Sequence, residues 1–240
     1  MKIIPLSEGS FTIDKSKLFV PFDEKEHELQ ERPVGSLLVE IQPFLVITSR
    51  DILLLDTGLG FSDKQGRLQL HKNLMAKNIN PSEVTKVLLS HLHKDHAGGV
   101  GNGKELSFPG ATYYIQKKEL DFAFEKGFPS FVTSDLDCLR DNEQVMQLDG
   151  DGYIDDYIEY QLSGAHSPFH QVFWIREEGE TIFFGGDESP QLQQMKHRFV
   201  AKYDADGRKA MEYRKLWWEE GREQGWKFLF YHDIKSPVWL

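Results

Sequence analysis

Cysteine is all but absent from these 240 residues: Cys138 stands alone, which excludes an intrachain disulfide and points to a reducing compartment. Basic residues are scarce too, 28 against 38 acidic ones, for a formal net charge of −10. That balance counts against a nucleic-acid partner, which needs clustered Lys and Arg, and against anionic membrane surfaces. It equally suits plain solubility. No apolar run approaches the length of a membrane span. The opening MKIIPLSEGSF has neither an apolar stretch of signal-peptide length nor a small-residue cleavage site, so the sequence predicts a cytoplasmic protein. Repeats, low-complexity tracts and Pro/Gly-rich linkers are missing, and residues 1–240 read as one domain. No G-x-S-x-G occurs, so no serine nucleophile of that kind is expected.

What is present is an ordinary globular composition, 40% hydrophobic and 28% charged, long enough to bury a substantial core. SLLVEIQ (36–42), FLVITS (44–49) and DILLLD (51–56) read as short apolar strands, followed by the turn DTGLG and a helix near 68–79. A strand is expected at 86–90. ATYYIQ (111–116) predicts another, and KKELDFAFEKG a helix closed by Gly127. Strands follow at 157–163, 171–177 and 181–187. A helix over 204–222 carries Ala210, Tyr213 and Trp217 on one face, and WKFLFYHD (226–233) is a last buried strand. Strands interleaved with helices indicate an α/β or α+β layered protein, and the strand-rich first third disfavours one doubly wound sheet.

The chemistry concentrates in LLSHLHKDHAGG (88–99), where His91, His93, Asp95 and His96 fall within six positions after an apolar strand. Imidazole and carboxylate hold divalent metals such as zinc at about 2.0–2.2 Å. In extended chain His91 and His93 point to the same side and can share one ion. Asp95 and His96, one turn on, face a second position nearby, and Gly98-Gly99 lets the backbone bend closely around it. Surface histidines near a helix start, with Asp95 as cap, would be the bland reading; four potential ligands in six residues argue against it. Three further ligands sit at expected strand ends: His166 in SGAHSPFHQ, Asp187 in FFGGDES and His232 in FLFYHD. Strand termini converging on one edge are a common way for an α/β scaffold to assemble a site.

The set H-x-H-x-D-H at 91–96, H-S-P at 166–168, G-G-D at 185–187 and the late His232, with LLLDTG at 53–58, resembles the metallo-β-lactamase-fold hydrolase superfamily. The resemblance implies a four-layer αβ/βα sandwich with two divalent metals, zinc first and Fe, Mn or Co as alternatives, in a cleft between the sheet edges. Carried onto this chain, His91, His93 and His166 would bind the first metal. Asp95, His96 and His232 would bind the second, Asp187 would bridge them, and Asp56 would orient a ligand imidazole. A hydroxide held between the metals would attack a small ester-like bond, a lactone or carboxylic ester first, with Asp95 and Asp187 accepting the released proton. The implied partner is a small-molecule substrate, with no nucleic acid or membrane, and the protein a monomer or homodimer.

Two departures from the family pattern stand out. Phe169 occupies a glycine position before His170, so it either changes the turn or lays a ring along the cleft wall; His170 matches a structural position. Acyl-homoserine lactonases of the family carry a tyrosine shortly after the bridging Asp, whereas Asp187 is followed by Glu188, Ser189, Pro190 and Gln191, leaving only the distant Tyr203. The alternatives are a glyoxalase II-like thioesterase and a mononuclear-iron persulfide dioxygenase. A di-iron reductase would need Glu where His93 stands, and a non-catalytic metal-binding protein is the remaining class. His27, His71 and His197 are expected in solvent, and Cys138 as a small helix residue.

Overall fold

A computed structural model describes residues 1–240. With strands numbered along the chain, the first sheet sets β1 (Lys2–Pro5), β5 (Phe44–Ile47), β6 (Ile52–Leu55), β7 (Lys86–Leu88), β10 (Thr112–Gln116) and β11 (Val145–Leu148) side by side. Its first three strands are antiparallel and the rest parallel. A second sheet runs β12 (Gly152–Ile154), β13 (Ile158–Leu162), β14 (Gln171–Glu177), β15 (Glu180–Phe184), β16 (Lys227–Leu229) and β17 (Val238–Trp239). Only β15 and β16 pair in parallel there, because α5 (Leu192–Lys196) and α6 (Gly207–Gln224) fill the crossover between them. A small third sheet joins β3 (Phe19–Pro21), β2 (Gly9–Ile13) and β4 (Leu37–Ile41), and β8 (Gly101–Asn102) pairs with β9 (Glu105–Leu106).

Three cores hold these layers. In β6, Leu54 faces α1 (Gln69–Met75) and α3 (Lys117–Lys126), whose Leu70, Leu74, Leu120 and Ala123 share its cluster with Leu136 of the one-turn α4 (Thr133–Leu136). Leu53 and Leu55 face the other way, onto Phe173, Ile175 and Phe184 of the second sheet. Both faces of β6 are thus buried, which is why its sequence is an unbroken apolar run rather than an alternation. On the far side Val172, Trp174 and Phe183 meet Leu192, Met195 and Trp217 of α5 and α6. Helix, sheet, sheet, helix is the expected four-layer sandwich.

The buried stripe of α6 differs from the expected one: Ala210, Arg214, Trp217 and Gly221 point inward, while Tyr213 is half-buried and stacks on Trp217. Strand β16 stops at Leu229 because Phe230 turns the chain toward His232. The first strands, β1 to β3, escaped the sequence pattern for want of length and alternation.

Candidate metal centre

Strand β7 ends at Leu88 and delivers His91 and His93 on the loop before the one-turn helix α2 (Lys94–Ala97), which carries Asp95 and His96. Gly98 and Gly99 allow α2 to press against the 56–60 turn; a Cβ on either would collide with the backbone carbonyls of Leu59 and Thr57. His166 lies between β13 and β14, Asp187 just beyond β15, and His232 beyond β16. The seven residues converge at one edge of the two sheets, and their ligand atoms form two groups. His91, His93, His166 and Asp187 lie within 4.8 Å of one another, as do Asp95, His96 and His232.

Asp187 touches both groups. Its Oδ2 stands 3.1 Å from His166 Nε2, and its Oδ1 stands 3.1 Å from His96 Nε2 and 3.0 Å from His232 Nε2. Asp95 Oδ2 lies 3.7 and 3.5 Å from the same two nitrogens of His96 and His232. Gly186 takes φ +48°, and a Cβ there would meet Ser90 and His170, so the backbone leading to Asp187 is fitted to glycine.

The outer partners of the imidazoles fix their tautomers. His96 Nδ1 donates to Asp56 Oδ2 at 2.7 Å, His166 Nδ1 to Asp204 Oδ1 at 3.0 Å, and His232 Nδ1 to the Glu40 carbonyl at 2.7 Å. Ser90 Oγ donates to Asp56, so it accepts from His91 Nδ1 at 3.0 Å. In each ring Nε2 is then left with a lone pair aimed inward. His91 Nε2 faces His93 Nδ1 at 2.9 Å, His166 Nε2 faces the same atom at 3.2 Å, and His96 Nε2 faces His232 Nε2 at 3.3 Å. Asp187 Oδ1 is buried and accepts no hydrogen bond of acceptable geometry. The lone pairs of His96 and His232 turned on one another, with an unpartnered carboxylate oxygen beside them, are a donor set suited to cations.

Electrostatics say the same. Burial works against charge on His96, yet Asp187, Asp95 and Asp56 together outweigh it and lift the imidazole well above its ordinary value. His166 is raised likewise: burial opposes, and Asp187 and Asp204 prevail. Burial works against the Asp187 carboxylate too, but His96, His232 and His166 hold it well below the usual range. Burial and neighbouring imidazoles depress His91, His93 and His170, which stay neutral. The carboxylates therefore call for positive charge among the rings, and neutral imidazoles are the form that binds a metal.

Several supporting residues carry no motif. Asp204, whose carboxylate is fully buried, orients His166; it lies in a plain polar stretch, KYDADG. Glu188 accepts the N–H groups of Ala165 and His166 at 2.8 and 2.9 Å, fixing that turn. Glu119, on α3, accepts from Leu92 N–H at 3.0 Å and Ser167 Oγ at 2.9 Å, tying two ligand loops together. Arg214, buried in α6, donates to the carbonyls of Glu188 and Phe199. His170 accepts from the Asp187 N–H at 3.2 Å and is structural, as expected. His27 and His197 are exposed, but His71 is half-buried edge-on to Phe108, and burial lowers its pKa.

The site opens on a cavity of about 1070 Å³ lined by His93, Asp95, His166, Asp187 and His232. Phe169 is not in its wall: the ring packs on Phe122 of α3, 5.8 Å between centroids, which corrects the cleft-wall expectation. Tyr203 is in the wall, edge-on to His166 at 6.0 Å. Its Oη accepts from Gln194 Nε2 at 3.0 Å, which leaves its proton free to donate, and burial pushes its pKa up to about 12. No helix is long and apolar enough to cross a membrane.

Residues 40–227 match the family model of the metallo-beta-lactamase superfamily. The chain is 34% identical over 108 residues to an N-acyl homoserine lactonase of Azorhizobium caulinodans, covering 42% of this chain and 39% of that protein. It is 31% identical over 110 residues to the corresponding lactonase of Agrobacterium fabrum, covering 43% and 40%. The matched stretches thus span about two-fifths of these relatives' length. An atrochrysone carboxyl ACP thioesterase of Passalora fulva is 27% identical over 145 residues, 60% of this chain and 36% of that one. Among solved structures, a probable metal-dependent hydrolase from Staphylococcus aureus superposes with a TM-score of 0.79 at 21% identity, over 99% of this chain and 91% of that one. The dizinc quorum-quenching lactonase AidC, solved with a product, gives 0.73 at 21% identity, over 98% and 88%.

Proposed function

Because the chain belongs to the metallo-beta-lactamase superfamily, we propose that it is a metal-dependent hydrolase acting on a small carboxylic ester, a lactone first. The observation that carries this reading is the pair of donor groups joined through Asp187 at the floor of the cavity. His91, His93 and His166 would hold one divalent ion, Asp95, His96 and His232 a second, and Asp187 would contact both. Zinc suits imidazole and carboxylate, as do iron, manganese and cobalt. Bound there, such ions supply Lewis acidity, lowering the pKa of a water toward about 7 and polarising a carbonyl oxygen.

The chain's own part follows from position. Asp95, at the cavity wall, would accept the proton that the attacking water gives up. Tyr203 is placed to donate to the carbonyl oxygen as charge develops on it, and its raised pKa keeps the proton on. Ile13, Phe19, Leu38 and Phe199 give the cavity an apolar wall for an acyl group and exclude water from it. Water adds to the carbonyl carbon, the acyl–oxygen bond breaks, the leaving oxygen takes a proton, and a hydroxy acid departs as its carboxylate with net release of one proton.

The similarity to lactonases supports the lactone, and the similarity to a thioesterase supports a thioester as second reading. Rates on an acyl homoserine lactone, an aryl ester and an acyl thioester, before and after chelation, test both. Lactone opening that chelation abolishes is expected. Turnover of the thioester alone would favour the second reading, and no turnover of any would overturn the proposal.

A further inference from the structure

The cavity wall has the wrong sign for its molecule. The chain carries a net charge of −10, yet Lys15, Lys17, Arg32, Lys94 and Lys202 all line this one cavity. Apart from the two carboxylates of the donor groups, its only acid is Asp14, whose Oδ1 is taken up by the backbone N–H and hydroxyl of Ser16. None of the five cations has a carboxylate within ion-pairing distance; the chain's ion pairs use others, such as Lys86 with Asp51 and Lys227 with Glu180. Arg32 spends only its Nε, on the Leu29 carbonyl, and keeps the planar face of its terminal nitrogens free.

The placement is built rather than incidental. Lys94 lies between the donors His93 and Asp95, and its ammonium donates to the Lys17 carbonyl at 2.5 Å with the ring of Phe19 close by. Lys17 is held at φ +60°, a left-handed conformation that costs a non-glycine residue, and both lysines are half-buried. Like charges gathered in a partly desolvated cavity repel one another, and an anion entering it relieves that repulsion.

We infer that the substrate carries, besides the bond that is cleaved, an anionic group, a carboxylate or a phosphate, which Lys15, Lys17, Arg32, Lys94 and Lys202 hold at the mouth of the cavity. This rests on the hydrolase reading above and narrows its substrate class: a neutral acyl lactone would leave the five cations unanswered.

The test compares two aryl esters on the metal-loaded protein, 4-nitrophenyl valerate and the half-ester 4-nitrophenyl glutarate, which are alike in length and differ by one terminal carboxylate. The ratio of kcat/KM, glutarate over valerate, should exceed one by about tenfold, the effect of charge-assisted hydrogen bonds to one anion. It should fall toward one as salt is raised, because exposed charges are screened. Lys17→Asn, which tolerates the left-handed backbone, and Arg32→Gln should each lower the ratio severalfold. Methyl phosphate and acetate tested as competitive inhibitors separate the two anions, the tighter one naming the group. A ratio near one that ignores salt and both variants, with both esters hydrolysed, would overturn the inference and leave the hydrolase reading standing. Hydrolysis of neither ester, lactone or thioester would overturn the reading itself.

Discussion

Tyr203 is sixteen residues beyond Asp187, yet it reaches the donor cluster because the 197–206 loop folds back over the His166 turn, where Ala205 and Asp206 donate to the carbonyls of His166 and Ala165. Sequence spacing alone makes it a weak candidate; only the fold brings it near. Tyr203→Phe should lower kcat on a lactone by on the order of 100-fold with metal content unchanged, since one donor to a developing oxyanion is removed. Equal kcat in the variant would remove Tyr203 from the chemistry. Glu119 titrates in a useful range: burial lifts its carboxyl from 4.5 to about 7, against the hydrogen bonds from Leu92 and Ser167. A carboxyl that binds its proton more tightly folded than unfolded supports the fold fully below about pH 4.5, and that support is lost as pH rises toward 7. Glu119→Gln, which stays neutral, should therefore gain on the parent between pH 5 and 8, by up to about 3 kcal/mol. Parallel Tm curves against pH would contradict this.

Elements place the donors, and here the legibility of the sequence divides. The strand end at Phe184 could be read because the apolar run stops at Gly185-Gly186, whereas the runs through Leu89 and through Phe230-Tyr231 continue past the ends of their strands at Leu88 and Leu229; each donor still follows its strand by a few positions. What could not be read is contact made across the fold. Asp204, Glu188 and Arg214 sit in unremarkable polar sequence, and their roles arise only when α6 docks on the second sheet and Arg214 pins the carbonyls of Glu188 and Phe199. Phe169 was ambiguous for the same reason: whether a loop phenylalanine faces a cleft or a helix depends on the packing of α3. Its ring lies on Phe122, so Phe169→Gly should cost about 1–2 kcal/mol of stability and leave KM unchanged. A raised KM for apolar substrates at unchanged Tm would return Phe169 to the cleft.

Taken whole, the molecule is two sheets pressed face to face, with an edge where buried carboxylates gather. Asp56 and the Asp204 side chain are fully buried there, with Asp95 and Asp187 nearly so. Such a concentration of negative charge is stable only with positive charge among it. Removing metal at neutral pH should therefore lower Tm, by the equivalent of about 3–4 kcal/mol for each ion present at a hundred to a thousand times its dissociation constant. The loss should shrink as pH falls, because protons compete with the ions for the ring nitrogens and the surrounding carboxylates raise the proton affinity of His96 and His166. A Tm indifferent to chelation would mean that the cluster is satisfied without metal.

If two linked metal positions make this protein a hydrolase, stripping it with chelator and titrating zinc back while following lactone opening will show it. Activity should be negligible in the stripped protein and rise to a plateau at about two equivalents per chain. Full activity in the metal-free protein, or a plateau reached with no metal retained by the protein, would contradict it.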